Sequence, residues 1–218
     1  MKVLYFLLLA SCFASLTLGV AQTLPDGADV VPFECPPSRN PRPQVEPQTE
    51  AERLQLEQRA RYREVLPAYF AAVPAEPDTE ILMPVEGVRL RDITDTWGAG
   101  RGGGRSHEGQ DIFAAEGTPV FSSTEGYVYR IGENILGGNT VVVVGGGGYR
   151  YYYAHLLGYA DDLREGQFVT PDTLLGYVGR TGNAAATPPH LHLGIYTSEP
   201  GRCDWDAINP LPLLVNRE

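Results

Sequence analysis

The placement of glycine constrains this chain more than any other feature. Of its 25 glycines, 22 lie between Gly98 and Gly201, where they punctuate short runs of β-branched and aromatic residues. Apolar runs this short, bounded by turn-forming residues, read as strands, so the spacing predicts an all-β domain. The expected strands cover residues 120–122, 127–131, 140–144, 149–154, 174–178 and 191–196. Gly145-Gly146-Gly147-Gly148 should join two of them as a hairpin, because glycine accepts the positive φ of a tight reversal. The expected fold class is therefore mainly β: an antiparallel sheet or sandwich-like arrangement over residues 81–218, preceded by an extended leader and one helix.

Residues 1–80 have a different texture. Lys2 is followed by an uncharged apolar stretch to Ala21 that closes on the small residues Gly19-Val20-Ala21, which reads as a cleavable export signal over residues 1–21. The proline-rich segment behind it cannot continue a membrane helix, so no transmembrane span is expected after cleavage. A competing reading rests on Leu9-Ala10-Ser11-Cys12, which resembles a bacterial lipobox and would make Cys12 an acylated anchor. Either way the chain is expected in the periplasm or cell envelope, or secreted. Seven prolines between residues 22 and 48 predict an extended tether. Residues 49–80 form a helical leader segment. It opens with a capping box from Thr49 to Glu52 and continues to about residue 73, with Leu54, Tyr62, Val65 and Phe70 among its apolar positions and Pro67 expected to kink or end it.

Composition narrows the function. A net charge of -10 lacks the positive field that phosphate backbones demand, so nucleic acid is not an expected partner. The 3 cysteines include no C-x-x-C, which argues against a zinc finger or a thioredoxin-type site. Loss of Cys12 with the signal would leave Cys35 and Cys203 as an even pair in an oxidising compartment, and an intrachain disulfide between them is expected.

The 4 histidines all fall in short segments associated with the expected strands. Gly98-Ala99-Gly100-Arg101-Gly102-Gly103 fits the dinucleotide fingerprint only formally, since no helix follows to hold a pyrophosphate. His107-Glu108-Gly109-Gln110-Asp111 lacks the second histidine of an H-E-x-x-H helix. It leaves an imidazole and a carboxylate four residues apart, both ligand types that zinc accepts. In Pro189-His190-Leu191-His192-Leu193, residues two apart in a strand share a face, so His190 and His192 project together while the leucines face the other layer. His155 ends an aromatic strand, Tyr151-Tyr152-Tyr153-Ala154-His155.

With these motifs in view, residues 84–214 resemble the lysostaphin-like (LytM-type) zinc metallopeptidases. The signature is H-x-x-x-D, a strand ending Ala154-His155-Leu156, and H-x-H, supported by Gly117-Thr118-Pro119-Val120, Gly137-Gly138-Asn139-Thr140 and Asn209-Pro210-Leu211. The resemblance implies one Zn2+ per chain held by His107, Asp111 and His192, with His155 and His190 catalytic beside it. Three protein ligands and one open position is also what a catalytic zinc requires. It further implies an exported zinc metalloendopeptidase whose substrate is the peptide of bacterial peptidoglycan, with the loop of residues 98–105 as one wall of the groove. Two alternatives remain at this point. One is a non-enzymatic regulator of cell-wall hydrolases on the same fold, and the other an extracellular peptidase acting on proteins or glycine-rich peptides.

Overall fold

A computed structural model describes residues 49–197 and 205–218. The export signal, the Pro-rich tether and both cysteines of the expected disulfide lie outside the described residues. In chain order, helix α1 (Glu50–Ala72) precedes strands β1 (Ile81–Leu82), β2 (Gly100–Arg101), β3 (Arg105–Ser106), β4 (Gln110–Phe113), β5 (Pro119–Phe121) and β6 (Gly126–Asn134). There follow β7 (Gly138–Gly145), β8 (Arg150–Tyr159), β9 (Phe168–Val169), β10 (Leu174–Val178), β11 (His190–Thr197), β12 (Asp206–Ile208) and β13 (Leu214–Val215). All six expected strands are present, and β7 and β8 are joined through the glycine run as anticipated. No helix among the described residues is long and apolar enough to cross a membrane.

Nine strands form one antiparallel sheet with the path β12-β11-β8-β7-β6-β9. Strand β4 pairs with the first half of β11 and β12 with its end, so the two occupy successive stretches of the same strand. Strand β10 pairs with the far end of β8 and with β5. The parallel pair β1 and β13 brings the two ends of the domain together.

Period-two alternation divides the long strands between two faces. On one face Val128, Val141, Val143, Tyr151, Tyr153, Leu191, Leu193 and Ile195 are buried in the main core. The residues between them, such as Tyr129, Val142, Tyr152 and His192, face the opposite side. The buried tyrosines satisfy their hydroxyls: Tyr151 donates to Asp78 Oδ2 at 2.6 Å, and Tyr153 accepts from the Ser123 amide at 2.8 Å.

Strand β8 turns a corner at His155, the described non-glycine residue with positive φ (64°). Up to Ala154 the strand pairs with β11, and from Leu156 onward with β10. The corner is fixed by the His155 amide, which donates to Gly137 O at 2.8 Å. A left-handed histidine costs roughly 1–2 kcal/mol, and its conformation interrupts the alternation. Ala154 and His155 consequently both reach the second face, and Leu156 returns to the core.

Helix α1 reaches Ala72, as expected, with Pro67 inside it. Its packing face differs from the apolar positions named from the sequence: Leu54, Val65 and Phe70 stay exposed, while Leu66, Tyr69, Ala72 and Val73 make the contact with Tyr127, Tyr129, Val142 and Val144. The spacing of Leu66, Tyr69 and Val73 is that of a single helical stripe, carried among the described side chains by the end of the helix. Tyr69 meets the edges of the Tyr127 and Tyr129 rings at 6.1 and 5.5 Å.

Candidate metal centre

The second face of the sheet opens into a cleft of about 540 Å³. Its floor includes Tyr129, Val142, Tyr152 and His192, and its lining contains all four histidines. One wall is the β2–β3 hairpin with Arg101 and Arg105, so the glycine-rich loop does flank the site, as a short hairpin. None of the described residues 49–97 lines the cleft, and α1 covers a neighbouring part of the face.

Register brings the donor atoms together. His192 of β11 is the direct partner of Asp111 of β4. Side chains directly opposite on antiparallel strands share a face, so 81 residues of sequence separation collapse to a contact. His192 Nδ1 lies 3.0 Å from Asp111 Oδ1, His107 Nε2 lies 3.0 Å from the same oxygen, and the two imidazole nitrogens are 2.9 Å apart. A tetrahedral ion with bonds of about 2.0–2.1 Å separates its ligand atoms by about 3.3 Å, so these donors fit one divalent metal after a shift of a few tenths of an ångström. Two imidazoles and a carboxylate are ligands that zinc accepts.

Each donor is oriented by a second contact. Thr96 O accepts from His107 Nδ1–H at 2.7 Å, which fixes the tautomer and turns the Nε2 lone pair to the site. Arg101 donates to Asp111 Oδ2 at 2.7 Å, leaving Oδ1 for the metal. The Asp111 amide donates to Thr96 Oγ1 at 2.9 Å. Burial pulls the Asp111 carboxyl upward, but its close contacts with His107, His192 and Arg101 outweigh it and hold the group well below the usual carboxylate range. Burial lowers His192 against the pull of Asp111, which favours the neutral imidazole a metal needs. Gly109 is required here, because a β-carbon at that position would overlap the His192 imidazole and lie 2.7 Å from Leu193 O.

His155 and His190 stand beside the donors with ring centroids 4.9 Å apart. Each gives its Nδ1–H to a backbone carbonyl, His155 to Thr181 O and His190 to Pro188 O, both at 2.9 Å. Their Nε2 lone pairs are thereby left for chemistry, and His190 Nε2 is 3.8 Å from Asp111 Oδ1. Burial, with the His190 charge second, lowers His155 to about 4, so it is neutral at pH 7.

All five residues singled out from the sequence therefore converge. The sequence reading missed Thr96, Thr181 and Arg101. The first two act through a backbone carbonyl, and Arg101 lies in the loop expected as a wall with nothing in its local pattern to mark it as an Asp111 partner.

A His/Asp/His donor set at the floor of an open cleft, two of its members on paired strands and His107 on the loop before β4, with two further imidazoles beside it, defines a metallopeptidase-type centre. Residues 105–210 match peptidase family M23, and the chain belongs to that family. It is 41% identical over 126 residues to the L-Ala–D-Glu endopeptidase of Bacillus subtilis, a match covering 55% of this chain and 38% of that protein. Among solved structures, an M23-type protein of Pseudomonas aeruginosa superposes with a TM-score of 0.52 at 29% identity, covering 74% of this chain and 59% of that one. A LytM-type protein of Ruminococcus gnavus gives 0.50 at 27% identity, covering 79% and 77%. The chain spans well under half the length of the Bacillus enzyme.

Proposed function

We propose that this chain is an exported zinc endopeptidase that hydrolyses peptide bonds of bacterial peptidoglycan. The observation that carries the reading is the convergence of His107, Asp111 and His192 donors at 2.9–3.0 Å on the cleft floor, with His155 and His190 adjoining. Similarity to the Bacillus endopeptidase supports the substrate class, and the apolar leader of residues 1–21 supports export, with acylation at Cys12 as the alternative.

His107, Asp111 and His192 would hold one Zn2+. When bound, zinc supplies a Lewis acid that polarises the scissile carbonyl and brings the pKa of a water toward neutrality. The protein's own groups do the rest. A peptide lies along the cleft floor. Of the two imidazoles pinned by Thr181 O and Pro188 O, one accepts the proton of the attacking water at Nε2 and later delivers it to the leaving amine, and the other, as the imidazolium carrying a proton on Nε2, donates to the developing oxyanion. A neutral His155 at pH 7 is competent to accept. Arg101 keeps Asp111 ionised and aimed.

The complete donor set speaks against a purely regulatory protein. Digestion of purified sacculi with the zinc-loaded protein, followed by mass analysis of the fragments, tests the proposal. Release of new peptide amino termini that stops on chelation and returns with zinc is expected. Intact sacculi in the presence of stoichiometric zinc would overturn it.

A further inference from the structure

The cleft carries a charge pattern opposite to that of the chain. In a protein of net charge -10, its lining among the described residues holds four arginines, Arg101, Arg105, Arg130 and Arg150, against Glu108 and the metal-donor Asp111. Arg101 is committed to Asp111. Arg150 has another role, because it makes no ion pair among the described residues and its Nε is buried without a hydrogen-bond partner. Its guanidinium stacks on Trp205, Tyr129 and Tyr196 lie within electrostatic reach, and Arg130 is close enough to repel it. Burial lowers its pKa only to about 9, so it stays charged at pH 7. A half-buried cation beside a second cation, facing an open cleft, is a costly arrangement that an anionic ligand would offset.

Its distance from the metal donors follows from register. Arg150 pairs with Tyr196, and Ala154 pairs with His192, so Arg150 lies four residues along the same face from the ligand row. At a rise of about 3.3 Å per residue this is roughly 13 Å, the length of about four residues of extended peptide. Arginine offers a planar fork suited to a carboxylate.

We infer that Arg150, in the field of Arg130, is a carboxylate-binding subsite that makes an anionic peptide the preferred substrate, with its carboxylate three to four residues from the bond cut. This rests on the endopeptidase reading and separates acidic stem peptides from neutral glycine bridges, which offer the subsite nothing.

The test uses the zinc-loaded full chain carrying His155→Asn, so that peptide binds with turnover suppressed. The probes are a stem peptide with free carboxylates and the same peptide with every carboxylate amidated, titrated by calorimetry. The free acid is expected to bind about tenfold to a hundredfold tighter. Adding Arg150→Gln should collapse that preference to within about twofold, and Arg150→Lys should keep part of it. In a set of peptides with one carboxylate stepped along the chain, affinity should peak at the three-to-four-residue spacing. Equal binding of the two forms to the Arg150 chain overturns the inference whatever the variants do, as does a preference that survives in a folded Arg150→Gln chain. Failure of the endopeptidase reading looks different: the carboxylate preference persists while the chain with native His155 leaves sacculi intact.

Discussion

The two faces of the central sheet are built from the same strands and do opposite work. On β11, Leu191, Leu193 and Ile195 are fully buried in the core, while His190, His192 and Tyr196 line the cleft. On β8, Tyr151 and Tyr153 go inward, while Arg150 and Tyr152 go to the cleft. The core face stabilises by apolar burial, with the Tyr151 and Tyr153 hydroxyls hydrogen-bonded. The cleft face instead concentrates imidazoles, a carboxylate and arginines, which neutralise one another only in part. The comparison teaches that stability and chemistry are separated here by one residue of register, and neighbouring substitutions can test the separation.

The sharpest test is the adjacent pair Leu193 and His192. His192→Ala should abolish zinc binding and hydrolysis while leaving the unfolding midpoint of the zinc-free protein nearly unchanged. Leu193→Ala, which empties a fully buried site, should cost about 2–5 kcal/mol in denaturant unfolding while the folded fraction still binds zinc stoichiometrically. Comparable destabilisation by both would break the two-face description.

Next comes His155, where backbone strain and the proposed catalytic role coincide. Asparagine tolerates the left-handed region, so His155→Asn should keep fold and zinc while lowering turnover by about 10²–10⁴-fold. His155→Val should lose a further ~1–2 kcal/mol of stability, because a β-branched residue resists φ of 64°. The same histidine predicts a pH dependence. Its folded pKa of about 4 lies below the ordinary 6.5, so between those values only the unfolded state takes up the proton. Stability of the zinc-free protein should therefore fall as pH drops from 6.5 toward 4, by about 3 kcal/mol in all. His155→Asn should flatten that slope, and an unchanged slope would remove His155 as its source.

A smaller effect is expected at Arg101. Arg101→Ala frees Asp111 Oδ2 and should weaken zinc binding by about tenfold to a hundredfold, measured by competition with a chelator, without changing the ligand set. Smallest for function is Tyr151→Phe on the core face. Loss of the hydrogen bond to Asp78 should cost about 1–2 kcal/mol of stability and leave zinc affinity and turnover unchanged.

Much of this was legible in one dimension. Alternation on β11 placed His190 and His192 opposite the leucines, and the β-branched runs located six strands, because period-two patterning is a local consequence of a half-buried strand. The short strands β2, β3, β9 and β13 were not legible, since two-residue pairings carry no periodicity. Strand β4, which carries Asp111, was hidden because its residues Gln110, Asp111 and Ile112 are all buried and show no alternation. On α1 the named residues Leu54 and Val65 stay exposed, because the described contacts of the helix with the sheet come from Leu66, Tyr69 and Ala72 in its last turns.

By itself, then, the sequence determined the β class, the five residues that the fold gathers at one cleft and the glycines that turn the chain, all of which depend on residue type and short spacing. Tertiary structure decided the rest. Register set Asp111 opposite His192, a positive φ swung His155 off its alternation into the cleft, and the cleft gathered Arg101 from the β2–β3 hairpin and Arg150 from β8. Those outcomes depend on pairings between strands far apart in the chain and on one strained dihedral, and neither leaves a local pattern to read.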